Sequence, residues 1–221
     1  MWEIMIRGGI IGVVITDRDM EVLRIVYRFK FCLGRHIKTL GSFTGARASD
    51  RRLKALIDAG YLNRKKYLYG VPYLYTLTHK GRILIGANKR ENKIRLEQIT
   101  HDIYILDTVI FFKDKYALAL SDIESERELH IKGGFGARKH QPDFVFTYGD
   151  KKYAVEIELT PKARGNLEKN VRDNYLNYNG QIWLTNDNKV ISMLQSLLGD
   201  YSNMRVGRLE ELEAKKCPKS I

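Results

Sequence analysis

Three carboxylates stand where a folded chain can bring them together. Asp143 follows Pro142 in Gln141-Pro-Asp-Phe-Val-Phe, and Glu156 and Glu158 lie two apart in Tyr153-Ala-Val-Glu-Ile-Glu-Leu-Thr-Pro-Lys. Residues i and i+2 of a strand point to one face. Val155, Ile157 and Leu159 are therefore expected in the core, with Glu156 and Glu158 on the opposite side and Asp143 beside them. Gathered carboxylates repel one another unless a cation sits among them. Hard oxygen donors of this kind suit Mg²⁺ or Mn²⁺, and a divalent ion on a basic chain points to phosphodiester chemistry. The same residues also fit an edge hairpin with surface carboxylates.

A Pro-Asp opening one strand, a hairpin turn and an acidic pair ending the next resemble the PD-(D/E)XK nuclease superfamily. Tyr148-Gly-Asp-Lys-Lys supplies the turn, with Gly149-Asp150 as its corner. In that superfamily a lysine stands where this chain has Glu158. Some members carry Glu there, and in others the following helix supplies the lysine, for which Lys162 and Lys169 are the candidates. The resemblance implies Asp143 and Glu156 as metal ligands, Glu158 as a ligand or water-orienting group, and Lys162 as the cation that meets charge on the phosphate. It also implies a leading helix that carries an acidic ligand, for which Glu97 is the candidate.

Charge separates the chain into two parts. Residues 1–90 hold 18 Lys and Arg against 6 Asp and Glu, whereas residues 91–221 hold 20 of each, so the formal net charge of +12 lies in the first part. A basic segment joined to a neutral one suits a polyanion-binding module with an attached partner. A basic membrane-surface protein would need an amphipathic basic helix with bulky exposed apolar residues, and none stands out. No apolar run approaches the ~18 residues of a membrane span, and the opening Ile10-Ile-Gly-Val-Val-Ile lacks a small-residue cleavage site. Cys32 and Cys217 are the only cysteines and have no His at metal spacing, which suits a reducing, cytoplasmic setting.

The basic part has a readable order of elements. Thr16-Asp17 is a candidate N-cap for a helix through Phe29, a short helix fits Gly34 to Leu40, and a third runs from Ala46 to Ala59 before Gly60. Tyr61–Lys66 and Tyr73–Leu77 are strand-like, and Leu77-Thr-His-Lys-Gly-Arg opens another helix. Helix, helix–turn–helix and hairpin in this order resemble a winged-helix DNA-binding domain. By that resemblance the Ala46–Ala59 helix enters the major groove of double-stranded DNA. Arg47 and Arg51 are then the candidates to donate paired hydrogen bonds to guanine. Ser49, Lys54, Arg64, Lys65 and Lys66 are assigned to phosphate. Tyr67, Tyr69, Tyr73 and Tyr75 leave two readings open, stacking on nucleic acid or packing the sheet.

Beyond a polar linker at Gly86–Lys93, Ile94–Phe112 has the pattern of a long helix, with His101 expected on its surface. Tyr116–Ser121 is expected to be a strand, Ser125–Ile131 is amphipathic, and Lys132–His140 is a glycine-bearing basic loop. Thr160-Pro161 suggests an N-cap and first helical position for a helix to Tyr178, with Leu167, Val171, Tyr175 and Tyr178 inward. A strand at Gln181–Thr185, a helix at Val190–Leu198 and a strand at Met204–Leu209 complete the pattern.

The expected class is thus α+β, with a winged helix–turn–helix over residues 1–90 and an α/β PD-(D/E)XK nuclease-like domain over 91–221. A winged helix ahead of Ala154-Val-Glu-Ile-Glu-Leu-Thr-Pro-Lys-Ala resembles the replication-relaxation family of bacterial plasmids and mobile elements. What that implies is DNA binding in replication, relaxation or mobilisation, with replication or mobilisation proteins, or a second copy of the chain, as candidate partners. Two classes remain open, a metal-dependent endonuclease or nickase and a non-catalytic regulator built on a nuclease-like fold.

Overall fold

The computed structural model describes residues 13–87, 94–133 and 140–214. Most of the expected Gly86–Lys93 linker (88–93), most of the glycine-bearing loop (134–139) and the tail with Cys217 lie outside the described residues. The described residues are α+β with two sheets, and the chain divides into two compact units, Met1–Ile99 and Thr100–Ile221.

In the first unit, helix α1 (Asp17–Arg28) starts where Thr16 and Asp19 cap each other's backbone N–H groups. Strand β1 (Cys32–Leu33), helices α2 (Gly34–Leu40) and α3 (Ala46–Asp58), strands β2 (Leu62–Lys65) and β3 (Leu74–Leu77) and helix α4 (His79–Leu84) follow. Gly60 ends α3 with φ of 75°, a left-handed position that glycine adopts freely. The three strands form an antiparallel sheet in the order β1-β3-β2. Val22, Leu23, Val26, Ile37, Leu53 and Leu56 form the buried faces of the helices, and Leu62 and Leu74 those of the sheet. Cys32 is buried on β1, where loss of solvent pushes its thiol far above the usual range.

Arg52 fastens α3 to the start of α1. Its guanidinium donates to Asp19 Oδ1 at 2.6 Å, pairs with Asp19 Oδ2 and reaches the Val14 carbonyl at 2.6 Å. Burial works to raise the Asp19 pKa, but the bonds from Arg52 and Thr16 outweigh it and hold the carboxyl below its ordinary value.

The second unit is built on a mixed sheet of five strands. A 3₁₀ turn (Leu96–Gln98) precedes helix α5 (Ile99–Lys115), so this helix starts later than the periodicity of Ile94–Phe112 suggests. Strand β4 (Ile123–Ser125), helix α6 (Glu126–Lys132), strands β5 (Phe144–Tyr148) and β6 (Lys151–Ile157) and helix α7 (Arg164–Asn177) come next. Strand β7 (Gly180–Thr185), helix α8 (Asn188–Leu197), strand β8 (Met204–Arg208) and helix α9 (Leu209–Ala214) end the unit. The sheet order is β4-β5-β6-β7-β8, antiparallel through β6 and parallel from β6 to β8. Gly149, at φ 58°, makes the β5–β6 turn.

Both faces of the central strands are covered. Phe112 of α5 stacks on Phe146, whose ring in turn stacks on Tyr153. On the other face Leu167, Val171, Trp183, Val190, Leu194 and Met204 make a second core under α7 and α8. That core contains a polar relay. Trp183 Nε1 donates to Gln181 Oε1 at 2.8 Å, and Gln181 Nε2 donates to Asn203 Oδ1 and the Val171 carbonyl, so each buried polar group is satisfied.

Several expectations are corrected here. Tyr116–Ser121 is not a strand: Tyr116 closes α5, Ala117 adopts φ 52°, Leu118 N–H donates back to the Lys113 carbonyl, and a 3₁₀ turn covers Leu120–Asp122. Thr160-Pro161 does not open α7, which begins at Arg164 after Ala163. On that helix Asn174, not Tyr175, faces inward, and Leu159 is only half-buried.

Candidate functional site

The hairpin of β5 and β6 brings the predicted carboxylates together. Phe144 pairs with Val155, so the register continued by one step sets Asp143 opposite Glu156. Asp143 Oδ2 accepts the backbone N–H of Ile157 at 2.7 Å. Glu158 follows the last residue of β6, and its N–H donates to the Leu184 carbonyl of β7 at 2.9 Å, which extends the parallel ladder.

Glu156 and Glu158 are 4% and 5% exposed, which sets aside the alternative of an edge hairpin with surface carboxylates. The reason is the position of β6 in the middle of a sheet whose two faces both carry helices. A buried charge needs partners, and each carboxylate has them. Asn174 Nδ2 of α7 donates to Glu156 Oε1 at 2.8 Å, and His140 Nε2 lies 2.5 Å from the same oxygen. Lys162 Nζ is 2.5 Å from Glu158 Oε2. His101, in the first turns of α5, has Nε2 at 2.9 Å from the Ile157 carbonyl and 3.5 Å from Asp143 Oδ2, and its Nδ1 is 3.6 Å from Asp102.

The titration shifts follow from this packing. Burial works against the charged form of His101, but hydrogen bonds to Asp102 and Asp143 overcome it and raise the pKa to about 10. Burial lowers and Glu156 raises the His140 pKa, with a net upward shift. Glu156 is pushed up chiefly by burial, against the opposing hydrogen bond from His140. Lys162 is raised because the attraction of Glu158, Glu156 and Asp143 exceeds the effect of burial. Asp143, Glu156 and Glu158 thus all act on Lys162, and Asp143 acts on Glu156.

His101 and Asn174 are the members that sequence reasoning missed, and His140 is one whose role the sequence leaves open. Their bonds to the hairpin depend on tertiary closure, and a histidine at the start of an amphipathic helix carries no local sign of it. The Lys-His140-Gln-Pro-Asp143 proximity was the one available signal.

The donor set can be tested against a divalent ion. Asp143 and Glu156 offer the oxygen type that Mg²⁺ or Mn²⁺ takes. Grouping is another matter: among the described residues no three His, Cys, Asp or Glu side chains form a group able to hold a metal ion. The oxygens face imidazole and ammonium groups of the protein itself. Glu97 is exposed in the 3₁₀ turn of the first unit. By type the donors fit, and as arranged their oxygens are engaged by His101, His140 and Lys162.

The first unit presents a second candidate surface. Arg47, Arg51 and Lys54 are exposed on α3, and Arg64, Lys65 and Lys66 are exposed on β2 and its turn. Lys54 pairs with Asp58 at 2.9 Å, one helical turn on, an exposed contact of small energy. Ser49 corrects the expectation. It is 2% exposed, on the face of α3 that carries Leu53 and Leu56, and its hydroxyl is buried without a hydrogen-bond partner. Spacing of i, i+4 and i+7 turns those three residues inward together, so Ser49 does not reach a phosphate.

No helix among the described residues is long and apolar enough to cross a membrane. No protein-family model, no curated protein and no solved structure matches the chain.

Proposed function

We propose that this chain is a double-stranded-DNA-binding protein that docks α3 against DNA and sets the β2–β3 hairpin beside it. The observation that carries this reading is the exposed row of Arg47, Arg51 and Lys54, in one unit with exposed Arg64, Lys65 and Lys66. The whole first unit, Met1–Ile99, holds 20 Lys and Arg against 8 Asp and Glu. Arg47 and Arg51 lie toward the start of α3, the end that reads base edges in winged-helix docking. The resemblance to the replication-relaxation family extends the proposal to replication, relaxation or mobilisation of a plasmid or other mobile element. The test is binding-site selection from a random duplex library, followed by Arg51→Ala. Specific affinity is expected to fall by about 1–3 kcal/mol with non-specific affinity little changed. Equal loss on every sequence would remove α3 from base recognition.

A second reading, metal-dependent cleavage of the bound strand, is favoured by the clustering of Asp143, Glu156, Glu158 and Lys162. Bound Mg²⁺ or Mn²⁺ would polarise a phosphate. In the chain itself, Asp143 and Glu156 would supply oxygens, and Lys162 would offer a cation to the anionic group. His101 and His140 must first yield those oxygens. Calorimetric titration of metal-free protein with Mn²⁺, beside Asp143→Ala, tests it. Binding in the wild type that vanishes in the variant is expected on this reading, with nicking of supercoiled plasmid as the second readout. Absence of both leaves the second unit a non-catalytic platform.

A further inference from the structure

The turn between β2 and β3 carries aromatic rings where a duplex-binding hairpin needs only cations. Tyr69 is 100% exposed, and Tyr73 is 45% exposed. Gly70 follows Tyr69 at φ 76°, and a Cβ added there would meet nothing within 4 Å, so the turn is uncrowded at that residue. Each ring lies beside a cation. The Arg64 guanidinium carbon is 4.1 Å from the centre of the Tyr73 ring, Lys65 Nζ is 5.2 Å from that of Tyr67, and Lys66 Nζ is 5.6 Å from that of Tyr69. Tyr75, one strand step further on, is 7% exposed and packs the sheet. The two readings of these tyrosines therefore divide along the hairpin, with packing at its base and exposure at its tip.

We propose that this tip is a stacking site for unpaired nucleobases, so that the first unit favours DNA opened at a fork, gap or junction over continuous duplex. The proposal rests on the DNA-binding reading above and adds the state of the DNA. A tyrosine ring gains by stacking only where a base presents its flat face, and in a continuous duplex those faces are covered by neighbouring pairs. Unpaired strands expose them, and sites that combine aromatic rings with a basic groove bind such strands with little regard to sequence. Cations next to the rings serve the phosphates of the same nucleotides, and each adds a cation–π contact. A protein partner is disfavoured by charge. Between Asp58 and Glu91 the chain has no Asp or Glu and seven Lys and Arg, a complement for a polyanion.

The experiment is fluorescence anisotropy of the full chain on two labelled DNAs of one sequence, a closed duplex and the same duplex with a forked end. A 2-aminopurine placed in the fork reports stacking. Wild type is expected to favour the fork about tenfold and to quench the 2-aminopurine. Tyr69→Ala is expected to abolish both effects while duplex affinity stays within about twofold, and Tyr69→Phe to restore them because only the ring is needed. Equal wild-type affinity for the two DNAs overturns the stacking site but leaves the DNA-binding reading intact. So does a preference that Tyr69→Ala fails to change. No salt-dependent affinity for either DNA overturns that reading, and the stacking site with it.

Discussion

Arg52 and Arg51 are adjacent in sequence and opposite in role. Arg51 faces solvent, whereas Arg52 turns back to a carboxylate that is fully buried. Truncating Arg52 leaves Asp19 buried without its cation, the situation in which breaking an ion pair costs most. Arg52→Ala is expected to lower the stability of the first unit by about 3 kcal/mol in a urea titration, the low end for a buried pair because Arg52 keeps some solvent contact. The pH dependence follows from the lowered Asp19 pKa. A carboxyl depressed in the folded state contributes stability above its unfolded pKa of about 3.8, and that contribution is lost as pH falls through the lower folded value. Asp19→Asn is therefore expected to flatten the acid limb of the stability curve below about pH 4. An unchanged limb would place the acid sensitivity in other carboxylates. The exposed side of Arg51 was legible from its spacing to Arg47 and Lys54, whereas the role of Arg52 was not, because its partner Asp19 comes from another helix.

At the scale of elements, much of the first unit was legible because its signals are local. Thr16 caps α1 and Gly60 ends α3 as their positions suggested, and α2 covers Gly34–Leu40 as expected, with Gly41 at its end. Thr78 caps α4, with its hydroxyl accepting from Gly81 N–H at 3.0 Å and donating to the Gly60 carbonyl at 2.6 Å. Gly81 shows why that junction needs a residue without a side chain, since a Cβ there would run into the Tyr61 carbonyl. Gly81→Ala is expected to cost about 1–3 kcal/mol by forcing α4 away from the hairpin, measured as a fall in the urea midpoint. A neutral result would show that the junction relaxes freely. In the second unit, local signals misled where long-range contacts compete with them. Thr160-Pro161 has the form of a helix start, yet α7 begins at Arg164, and Lys162 ahead of it pairs with Glu158. The alternation of Tyr116, Leu118 and Leu120 resembles a strand, but it belongs to a helix end whose tyrosine stacks on Phe146. The carboxylate hairpin was visible from residue types alone, while its histidine partners arrive from α5 and from beyond the loop.

For the whole molecule, the division of charge is the property with the widest reach. The second unit, Thr100–Ile221, is formally neutral with 18 Lys and Arg against 18 Asp and Glu, so the +12 belongs entirely to the first. Attraction to DNA is then expected to come from one unit and to weaken steeply with salt. Each phosphate neutralised contributes about −0.9 to the slope of log affinity against log salt. If half of Arg47, Arg51, Lys54, Arg64, Lys65 and Lys66 reach phosphate, the slope is about −3 or steeper. A slope near zero in an anisotropy titration from 50 to about 300 mM salt would remove electrostatic docking from the account.

The bond between Asp143 and the Ile157 amide gives the second unit a spectroscopic probe of its own. A short hydrogen bond to a carboxylate moves an amide proton to low field, and this one depends on a single side chain at the mouth of the hairpin. Any ion or phosphate that draws Asp143 away must release it. In an ¹⁵N-labelled sample, the Ile157 cross-peak would therefore move upfield during such a titration, while buried amides such as that of Val145 stay in place as internal standards.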